Sequence, residues 1–476
     1  MNTKEMVLKT PDKQKTDNLV DIFLKTLYFF GFDRAVSYGV LARVWGVFAG
    51  PVTMVIIAAR FSREQQGFYY TFSSLLALQT FFELGLLYVI AQFASHEFVQ
   101  LRWGARGRIE GDPVPRERFI DLLCKSTMWF GVASILMIVL LVPTGLYFFK
   151  DGQHSQPDFA WRVPWTLAVI GTGLNLLATP FFAMIMGSGE VVTVNYRELI
   201  GGIAGSVISW LVMGAHGGLY AVFAVTCGNV IISWSYLLRK KPELLKMAWQ
   251  GISSAGFFKE NRGAIAWREE IWPMQWKMAV SSGASYFIFQ LFNPILFHYH
   301  GSVVAGQMGM TLAAANALLG ICLTLLIAKS PDFGKLIAVQ NWKNLDRQFY
   351  RVLLQSATLV SIGAFSGWCI IWFLQKNYTV GQRFIPASHA AFLLGAVCVQ
   401  TVNSAFAIYL RAHKKEPLMT ITVLVSIFQG ALTWFLGMRY STLGVTVGYF
   451  LVSLIFIFPS FFLIWKRCRA EWHAVA

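Results

Sequence analysis

Two charged residues lie inside long apolar stretches of this chain, where an ionised side chain is costly unless it has a partner or faces a polar cavity. Glu83 is the only carboxylate deep inside such a stretch, and Arg43 lies in the preceding one. If both stretches are helices, Arg43 lies about 10 Å and Glu83 about 15 Å from the same side. The pair predicts one of two roles. The two residues form an ion pair that holds two helices together, or Arg43 binds a phosphate while Glu83 adjusts the charge around Arg43 or acts as a protonatable switch.

Amide side chains recur in the other apolar stretches, in several cases one helical turn apart. They are Gln79, Gln290, Asn293, Asn316, Gln400 and Asn403. Amides at this spacing can bond neighbouring helices together, or they can line a polar cavity that accepts sugar hydroxyls. Lys277 either extends toward the membrane surface or lines the same cavity. We treat all these residues, with Arg43 and Glu83, as candidate substrate-binding residues.

Twelve apolar stretches carry these side chains, and each is long enough to cross a hydrocarbon core of roughly 30 Å as a helix. A mean hydropathy of +0.53 with 13% charged residues is unlike that of a soluble protein. Backbone groups in a bilayer must be paired within the protein, which predicts an all-α membrane protein with twelve transmembrane helices. The stretches are 36–59, 66–93, 124–149, 164–187, 198–215, 219–238, 273–298, 304–328, 350–375, 387–410, 417–437 and 443–466.

The basic residues fall almost entirely on one side of the predicted membrane. All but seven of the 40 Lys and Arg residues lie in the terminal segments and in every second connection. The positive-inside rule places that side, with both the N and C termini, in the cytoplasm. The net charge of +16 therefore reflects orientation and contact with anionic lipid and does not indicate nucleic acid binding. We expect no cleavable signal peptide, and we expect an amphipathic surface helix at 19–32.

The twelve stretches divide into two halves that resemble each other. Gly67 aligns with Gly306, and further along Trp210 aligns with Trp434. Six stretches per half give both halves the same orientation, which predicts two six-helix bundles related by a pseudo-two-fold axis along the membrane normal. The predicted segments are an interfacial segment 1–35, a bundle 36–238, a cytoplasmic linker with an amphipathic helix 239–272, a second bundle 273–466 and a tail 467–476.

Several classes of function find no support in the sequence. There is no nucleotide-binding or metalloprotease motif, and the six cysteines form no CxxC pair. We therefore predict no cofactor and no metal. The outside connections are short, whereas a membrane glycosyltransferase or ligase would need a larger outside catalytic loop. These features favour a transporter over an enzyme.

The stretch from Ala42 to Leu86 resembles the first two helices of polysaccharide flippases. These belong to the multidrug/oligosaccharidyl-lipid/polysaccharide exporter (MOP) superfamily. The shared pattern is a first span, a short basic turn, a glycine before an aromatic residue (Gly67-Phe68), and a second span ending in an acidic residue before Gly-Leu (Glu83–Leu86). In outline the resemblance covers the whole chain, and it is closest to O-antigen and exopolysaccharide flippases.

Lipid II flippases of the same superfamily have a similar Ser/Ala-Arg-Val-x-Gly run, matched here by Ala42–Gly46. In that family the arginine lines a cationic cavity for the diphosphate, and the resemblance gives this role to Arg43. Where that family has further cavity arginines, this chain has Gln79 and Asn316. The resemblance therefore implies a less cationic cavity.

These observations predict a flippase of the bacterial inner membrane. It would move an undecaprenyl-diphosphate-linked oligosaccharide, the repeat unit of a cell-surface polysaccharide, to the outer leaflet by alternating access. The expected partners are this substrate, membrane lipids, a polysaccharide polymerase and glycosyltransferases. The alternatives are a cation-coupled multidrug exporter of the same superfamily, which the scarcity of acidic residues in the spans disfavours, and a membrane glycosyltransferase or ligase.

Overall fold

The computed structural model describes residues 34–151, 159–254, 265–413 and 415–474. The surface helix predicted at 19–32 lies outside these ranges. Within them the chain is almost entirely helical, and the one sheet is an antiparallel hairpin of β1 (Leu101–Trp103) and β2 (Ile109–Gly111). The hairpin lies between the second and third apolar stretches, where an all-α protein was predicted to have only a connection.

Eight helices form the first half of the chain, and a ninth follows them in the linker. They are α1 (Arg34–Arg60), α2 (Arg63–Leu76), α3 (Gln79–Glu83), α4 (Leu86–Glu97), α5 (Pro113–Asp151), α6 (Arg162–Gly187), α7 (Val191–Gly214), α8 (Tyr220–Lys240) and α9 (Pro242–Ser254). Helix α9 covers the described part of the amphipathic helix predicted in the linker, with Leu244 and Ala248 buried and Trp249 exposed.

The second predicted span is not one helix. Leu84 and Gly85 both have positive φ, 48° and 64°, so the chain leaves the right-handed helical region between α3 and α4. A Cβ at Gly85 would also lie 2.7 Å from the Cβ of Met278 in the second half. The span is therefore bent by 41°. Glycine fits this position both for its backbone conformation and for the close approach of its neighbour.

Seven helices form the second half. They are α10 (Trp272–Phe289), α11 (Phe292–His300), α12 (Ser302–Ala338), α13 (Trp342–Asn377), α14 (Ala387–Ala412), α15 (Met419–Val452) and α16 (Phe458–Ala474). The span predicted at 273–298 breaks at Gln290, four residues before Pro294. Proline has no N–H for the carbonyl four residues earlier, and this is the ordinary cause of such a break.

The last two predicted spans follow each other without a separate loop. Helix α15 passes through Ser441, whose φ of 55° and ψ of −142° kink it, and a π-helical turn at Ser453–Ile457 leads into α16. The short outside connection predicted between 437 and 443 is therefore a kink within a helical run.

Eight helical runs are long and apolar enough to cross a membrane, or nine if the bent α2–α4 segment counts as one span. This number refers to the described residues and counts α15 to α16 as a single run. Helix α7, which carries Arg197 and Glu198, and the broken α10–α11 segment are not among them. The chain is a multi-pass membrane protein, and twelve crossings remain a prediction.

The connections predicted to be cytoplasmic meet at one end of the molecule. We call it the basic end, and it holds the connections α4–α5, α6–α7, α8–α10, α12–α13 and α14–α15. There Arg118 of α5 pairs with Glu270 of the linker at 2.7 Å, and Lys241 after α8 pairs with Glu190 before α7 at 2.7 Å. The other connections meet at the opposite end. Which end faces the cytoplasm remains a prediction.

Two helical bundles pack against each other, α1–α8 in one and α10–α16 in the other. In the first bundle α7 and α8 approach closely, since a Cβ on Gly228 would lie 2.5 Å from the Cα of Gly205. Such small residues allow close packing of membrane helices. The main contact between the bundles joins α2 to α12.

Candidate functional site

A cavity of about 650 Å³ lies between the two bundles at the basic end. Its walls come from the first turns of α1 and α7 and from the last turns of α12 and α14. The residues that line it include Gly39, Arg43, Asn195, Glu198, Ser330 and Ala412. A recess of about 430 Å³ continues toward the opposite end between α1 and α12, lined in part by Gly46, Gly50, Asn316 and Gly320. Arg43 and Thr324 line both spaces, which therefore form one path.

Arg43 projects from a face of α1 on which its neighbours are glycines. Gly39, Gly46 and Gly50 follow one another at helical spacing around it, so that all four residues share one face. A Cβ built at Gly46 or Gly50 would meet nothing within 4 Å. Gly46 and Gly50 leave the space on one side of Arg43 empty, and the Arg43 side chain is exposed in the cavity.

Helix α7 brings two further polar residues to the cavity, Asn195 and Glu198. Two hydrogen bonds from tryptophan side chains join α1 to α7. Trp45 Nε1 donates to Ser206 Oγ at 3.4 Å, and Trp210 Nε1 donates to Thr53 Oγ1 at 2.8 Å. The sequence interpretation missed Glu198 because the span was taken to begin at 198. The helix begins at Val191, so Glu198 is two turns inside it.

The predicted partnership of Arg43 with Glu83 is wrong. Among the described residues no ion pair joins them, because their helices are not neighbours: α1 packs on α7 and α12, whereas α3 packs on α5 and α10. Consecutive spans were assumed to be adjacent, and here they are not. Glu83 also does not line the cavity that contains Arg43.

Two of the predicted amides line cavities, but different ones. Asn316 of α12 is exposed in the same path as Arg43. Gln79 lines a separate pocket inside the first bundle, between α2, α6 and α8. The structure therefore brings Arg43 and Asn316 together and leaves Gln79 apart from them.

The residues predicted in the seventh span have other surroundings. Asn293 is 4% exposed, and its Nδ2 donates to Ser74 Oγ of the first bundle at 3.0 Å. This matches the role of a helix-bonding amide. Gln290 caps the break at the end of α10. Lys277 is exposed near Trp276, with its Nζ 6.0 Å from the centroid of that ring.

The predicted amides of α14 do not line the cavity. Gln400 is half-buried in the second bundle. Asn403 is fully buried, and neither its Nδ2 nor its Oδ1 has a hydrogen-bond partner among the described residues. Asn403 therefore does not bond α14 to a neighbouring helix.

Polar contacts between the bundles close the opposite end of the molecule. Arg383, after α13, donates from Nη1 to Gln66 Oε1 at 3.0 Å and from Nη2 to the carbonyl of Phe61 at 2.6 Å. Gln66 Nε2 in turn donates to the carbonyl of Gly306 at 2.8 Å. The path that contains Arg43 therefore opens at the basic end and is closed at the other.

Known proteins resemble this chain in structure but not in sequence. No protein family model and no curated protein matches the sequence. Solved structures do match it, over nearly its whole length. The chain shares its fold with transporters of the MATE family and with the lipid II flippase MurJ.

Three structures illustrate the match. An inward-facing multidrug resistance transporter of the MATE family aligns with a TM-score of 0.58 and 12% identity, over 96% of this chain and 99% of its own. The lipid II flippase MurJ, in an inward closed conformation, aligns with a TM-score of 0.58 and 14% identity, over 94% and 87%. The MATE multidrug transporter DinF-BH gives a TM-score of 0.57 and 10% identity, over 97% and 99%.

At these identities the likeness shows the fold alone. Two of the three neighbours are multidrug transporters and the third is a lipid II flippase. Multidrug transporters and a lipid flippase share the architecture equally well, so the fold does not select the substrate.

Proposed function

We propose that this protein is a flippase for a lipid whose headgroup combines a diphosphate with sugars. Arg43 is the observation that carries the proposal. It stands alone on a glycine face in the path between the bundles, and among the described residues no carboxylate is bonded to it. A guanidinium in this position is able to bind a phosphate group through two parallel hydrogen bonds.

The direction of transport follows from the distribution of charge. The positive-inside rule places the basic end in the cytoplasm, so the path would open to the cytoplasmic leaflet. Opening of the closed end and closure of the basic end would then release the headgroup on the other side, while the lipid chain stays in the bilayer. Such rocking of two bundles about a central site is the usual mechanism for transporters built from repeats.

Arg43 and Asn316 are the residues we assign to the substrate path. Arg43 would hold the phosphates, and Asn316, nearer the closed end, would meet the part of the headgroup beyond them. For Asn293 we propose a structural role, because its amide bonds α11 to α2.

The cellular setting follows from the substrate. We propose the inner membrane of a bacterium, with an undecaprenyl-diphosphate-linked oligosaccharide as the substrate class. Glycosyltransferases would supply this lipid on the cytoplasmic face, and a polymerase would consume it on the other.

A direct test is binding of undecaprenyl diphosphate to the purified protein, measured by native mass spectrometry. Arg43→Ala should weaken binding by about ten- to a hundredfold, because it removes charge-assisted hydrogen bonds. Arg60→Ala is the matched control, since Arg60 lies on the same helix at the closed end beside His216. Equal binding by both variants would refute the proposal.

A second candidate is export of cationic drugs, which Glu198 supports. Its carboxylate lines the same cavity as Arg43, and MATE multidrug transporters share the fold. An exporter of this kind should lose drug resistance in Glu198→Gln and keep it in Arg43→Ala. If the protein is a flippase, polysaccharide production should be lost in Arg43→Ala and kept in Glu198→Gln.

A further inference from the structure

A second polar pocket, of about 320 Å³, lies inside the first bundle between α2, α3, α6 and α8. No residue that lines it carries a charge. Its polar side chains are hydroxyls and amides: Tyr69, Ser73, Gln79, Thr172, Asn175, Thr226 and Asn229. Helix α2, which supplies one wall, packs directly on α12, which lines the substrate path through Asn316. The pocket therefore lies one helix away from the interface between the bundles.

The serine and threonine hydroxyls of the pocket present oxygen lone pairs and not hydrogens. Ser73 Oγ donates to the carbonyl of Tyr69 at 3.1 Å, Thr172 Oγ1 to that of Ala168 at 2.8 Å, and Thr226 Oγ1 to that of Phe223 at 2.8 Å. Each hydroxyl has one hydrogen, which these bonds use. These three residues therefore offer hydrogen-bond acceptors to a ligand.

The two asparagines are fixed in different ways. Asn229 Nδ2 donates to the carbonyl of Val225 at 3.2 Å, which leaves its Oδ1 as an acceptor. Asn175 Oδ1 accepts from Arg197 Nη2 at 3.4 Å, and its amide hydrogens have no partner among the described residues. The pocket therefore combines several acceptors with a few amide donors.

Arg197 lies behind the pocket and determines which ligands are excluded. Its Nε and Nη2 donate to Ser233 Oγ at 2.9 and 2.7 Å, and its guanidinium carbon lies 4.4 Å from the Phe182 ring centroid. This fixed positive charge, with no carboxylate in the pocket, repels cations. Arg197 is not among the residues that line the pocket, and its Nε and Nη2 already bond Ser233 and Asn175, so it offers an anion no direct contact there. A neutral ligand rich in hydroxyl groups suits the pocket better than either ion.

We propose that this pocket binds one sugar ring of the transported lipid. The inference rests on the proposed flippase function and adds a site for the neutral part of the headgroup. Sugar hydroxyls would donate to the oxygens of Thr172 and Thr226 and accept from the amides of Gln79 and Asn175. Arg197 acts as a positioning residue, because it holds Asn175 Oδ1 and so leaves the amide hydrogens of Asn175 for the ligand.

The test compares undecaprenyl diphosphate with the same lipid carrying one glucose, galactose or N-acetylglucosamine. Binding to the full-length protein is measured by native mass spectrometry. At least one sugar should strengthen binding about tenfold. The double variant Thr172→Val with Thr226→Val should lose that gain and still bind the sugar-free lipid as before. Ser73→Ala, a smaller change, should lose part of it.

Thr166→Val is the matched control, because Thr166 is on the same helix and donates to its own helix at 3.0 Å but does not line the pocket. It should keep the full gain. If none of the three sugars strengthens binding, or if the double variant keeps the stronger binding, the sugar site alone is overturned. Sugar-free binding that does not depend on Arg43 would overturn the flippase proposal and this inference with it. Sodium-dependent thermal stabilisation lost in the double variant would identify a cation site and also overturn the inference.

Discussion

Gly67 of α2 and Gly306 of α12 meet backbone to backbone where the two bundles touch. A Cβ built on Gly306 would lie 2.8 Å from the backbone nitrogen of Gly67. These are the two glycines that the sequence aligned between the halves. Equivalent positions of two related units contact each other only near the axis that relates them. The contact thus supports the predicted pseudo-two-fold axis and lies at the closed end of the substrate path.

The first prediction concerns Gly67 itself. In Gly67→Ala the new Cβ would collide with the backbone carbonyl of Ser302, and backbone cannot move aside as a flexible side chain can. The closed end should therefore stay open more often. Labelling of a cysteine introduced at Gln382 should become faster, and transport should fall. Gly214→Ala is the control, because a Cβ there would meet nothing within 4 Å. Equal labelling in both variants would show that this contact does not hold the end closed.

The second prediction concerns the bonds of Arg383 across the closed end. Arg383→Ala removes its bonds to Gln66 and to the carbonyl of Phe61. Bonds from a charged donor contribute on the order of 1.5–3 kcal/mol each, so the population open at this end should rise at least tenfold. Distances between spin labels on the two bundles would measure it. Lys376→Ala, nearby but outside these bonds, should leave the distances unchanged. If Arg383→Ala also leaves them unchanged, these bonds do not hold the gate closed.

The third prediction separates the two charges in the cavity. Glu198→Gln removes a negative charge from the space that Arg43 shares, so an anionic headgroup should bind several-fold more tightly through reduced repulsion. The effect should weaken as salt is added. Titration with undecaprenyl diphosphate at two ionic strengths measures it. Weaker binding in Glu198→Gln would show instead that the carboxylate contacts the ligand favourably.

The fourth prediction uses the buried amide of α14. Asn403 has no exposure and no hydrogen-bond partner among the described residues, and an unsatisfied buried polar group is destabilising by about 1–3 kcal/mol. Asn403→Leu should therefore raise the melting temperature in detergent by about 1 to 3 °C. Asn293→Leu, which loses a bond to Ser74, should lower it. A lower melting temperature for Asn403→Leu would show that this amide has a partner, such as water or an ion.

The sequence predicted the helices well because long apolar stretches in a membrane have few alternatives to helical structure. It did not predict the bend between α3 and α4, because the positive φ at Leu84 depends on contacts with the other bundle. The break before Pro294 has a signal in the sequence, since the proline has no N–H for the carbonyl of Gln290. The hairpin at β1 and β2 lies in a basic connection, where hydropathy carries no signal.

The candidate site was only partly predictable for a similar reason. Arg43 stood out because a charged side chain inside an apolar span is costly and therefore unusual, but its neighbours depend on which helices are adjacent. A single sequence does not give that adjacency, so Glu83 was paired with Arg43 wrongly. Glu198 was missed because the start of its helix was placed too late, at 198 instead of Val191. One signal was available: Arg197 and Glu198 are consecutive in a helix, so they point in directions about 100° apart. One faces the bundle interior and the other the cavity.

The proposed flippase function depends most on Arg43 as the phosphate-binding residue, and one measurement tests this directly. The protein is reconstituted into vesicles with a fluorescent undecaprenyl diphosphate-linked sugar, and transfer between leaflets is followed by quenching from outside. The wild type should transfer the lipid, Arg60→Ala should match it, and Arg43→Ala should be at least tenfold slower. Transfer by Arg43→Ala at the wild-type rate would contradict the account.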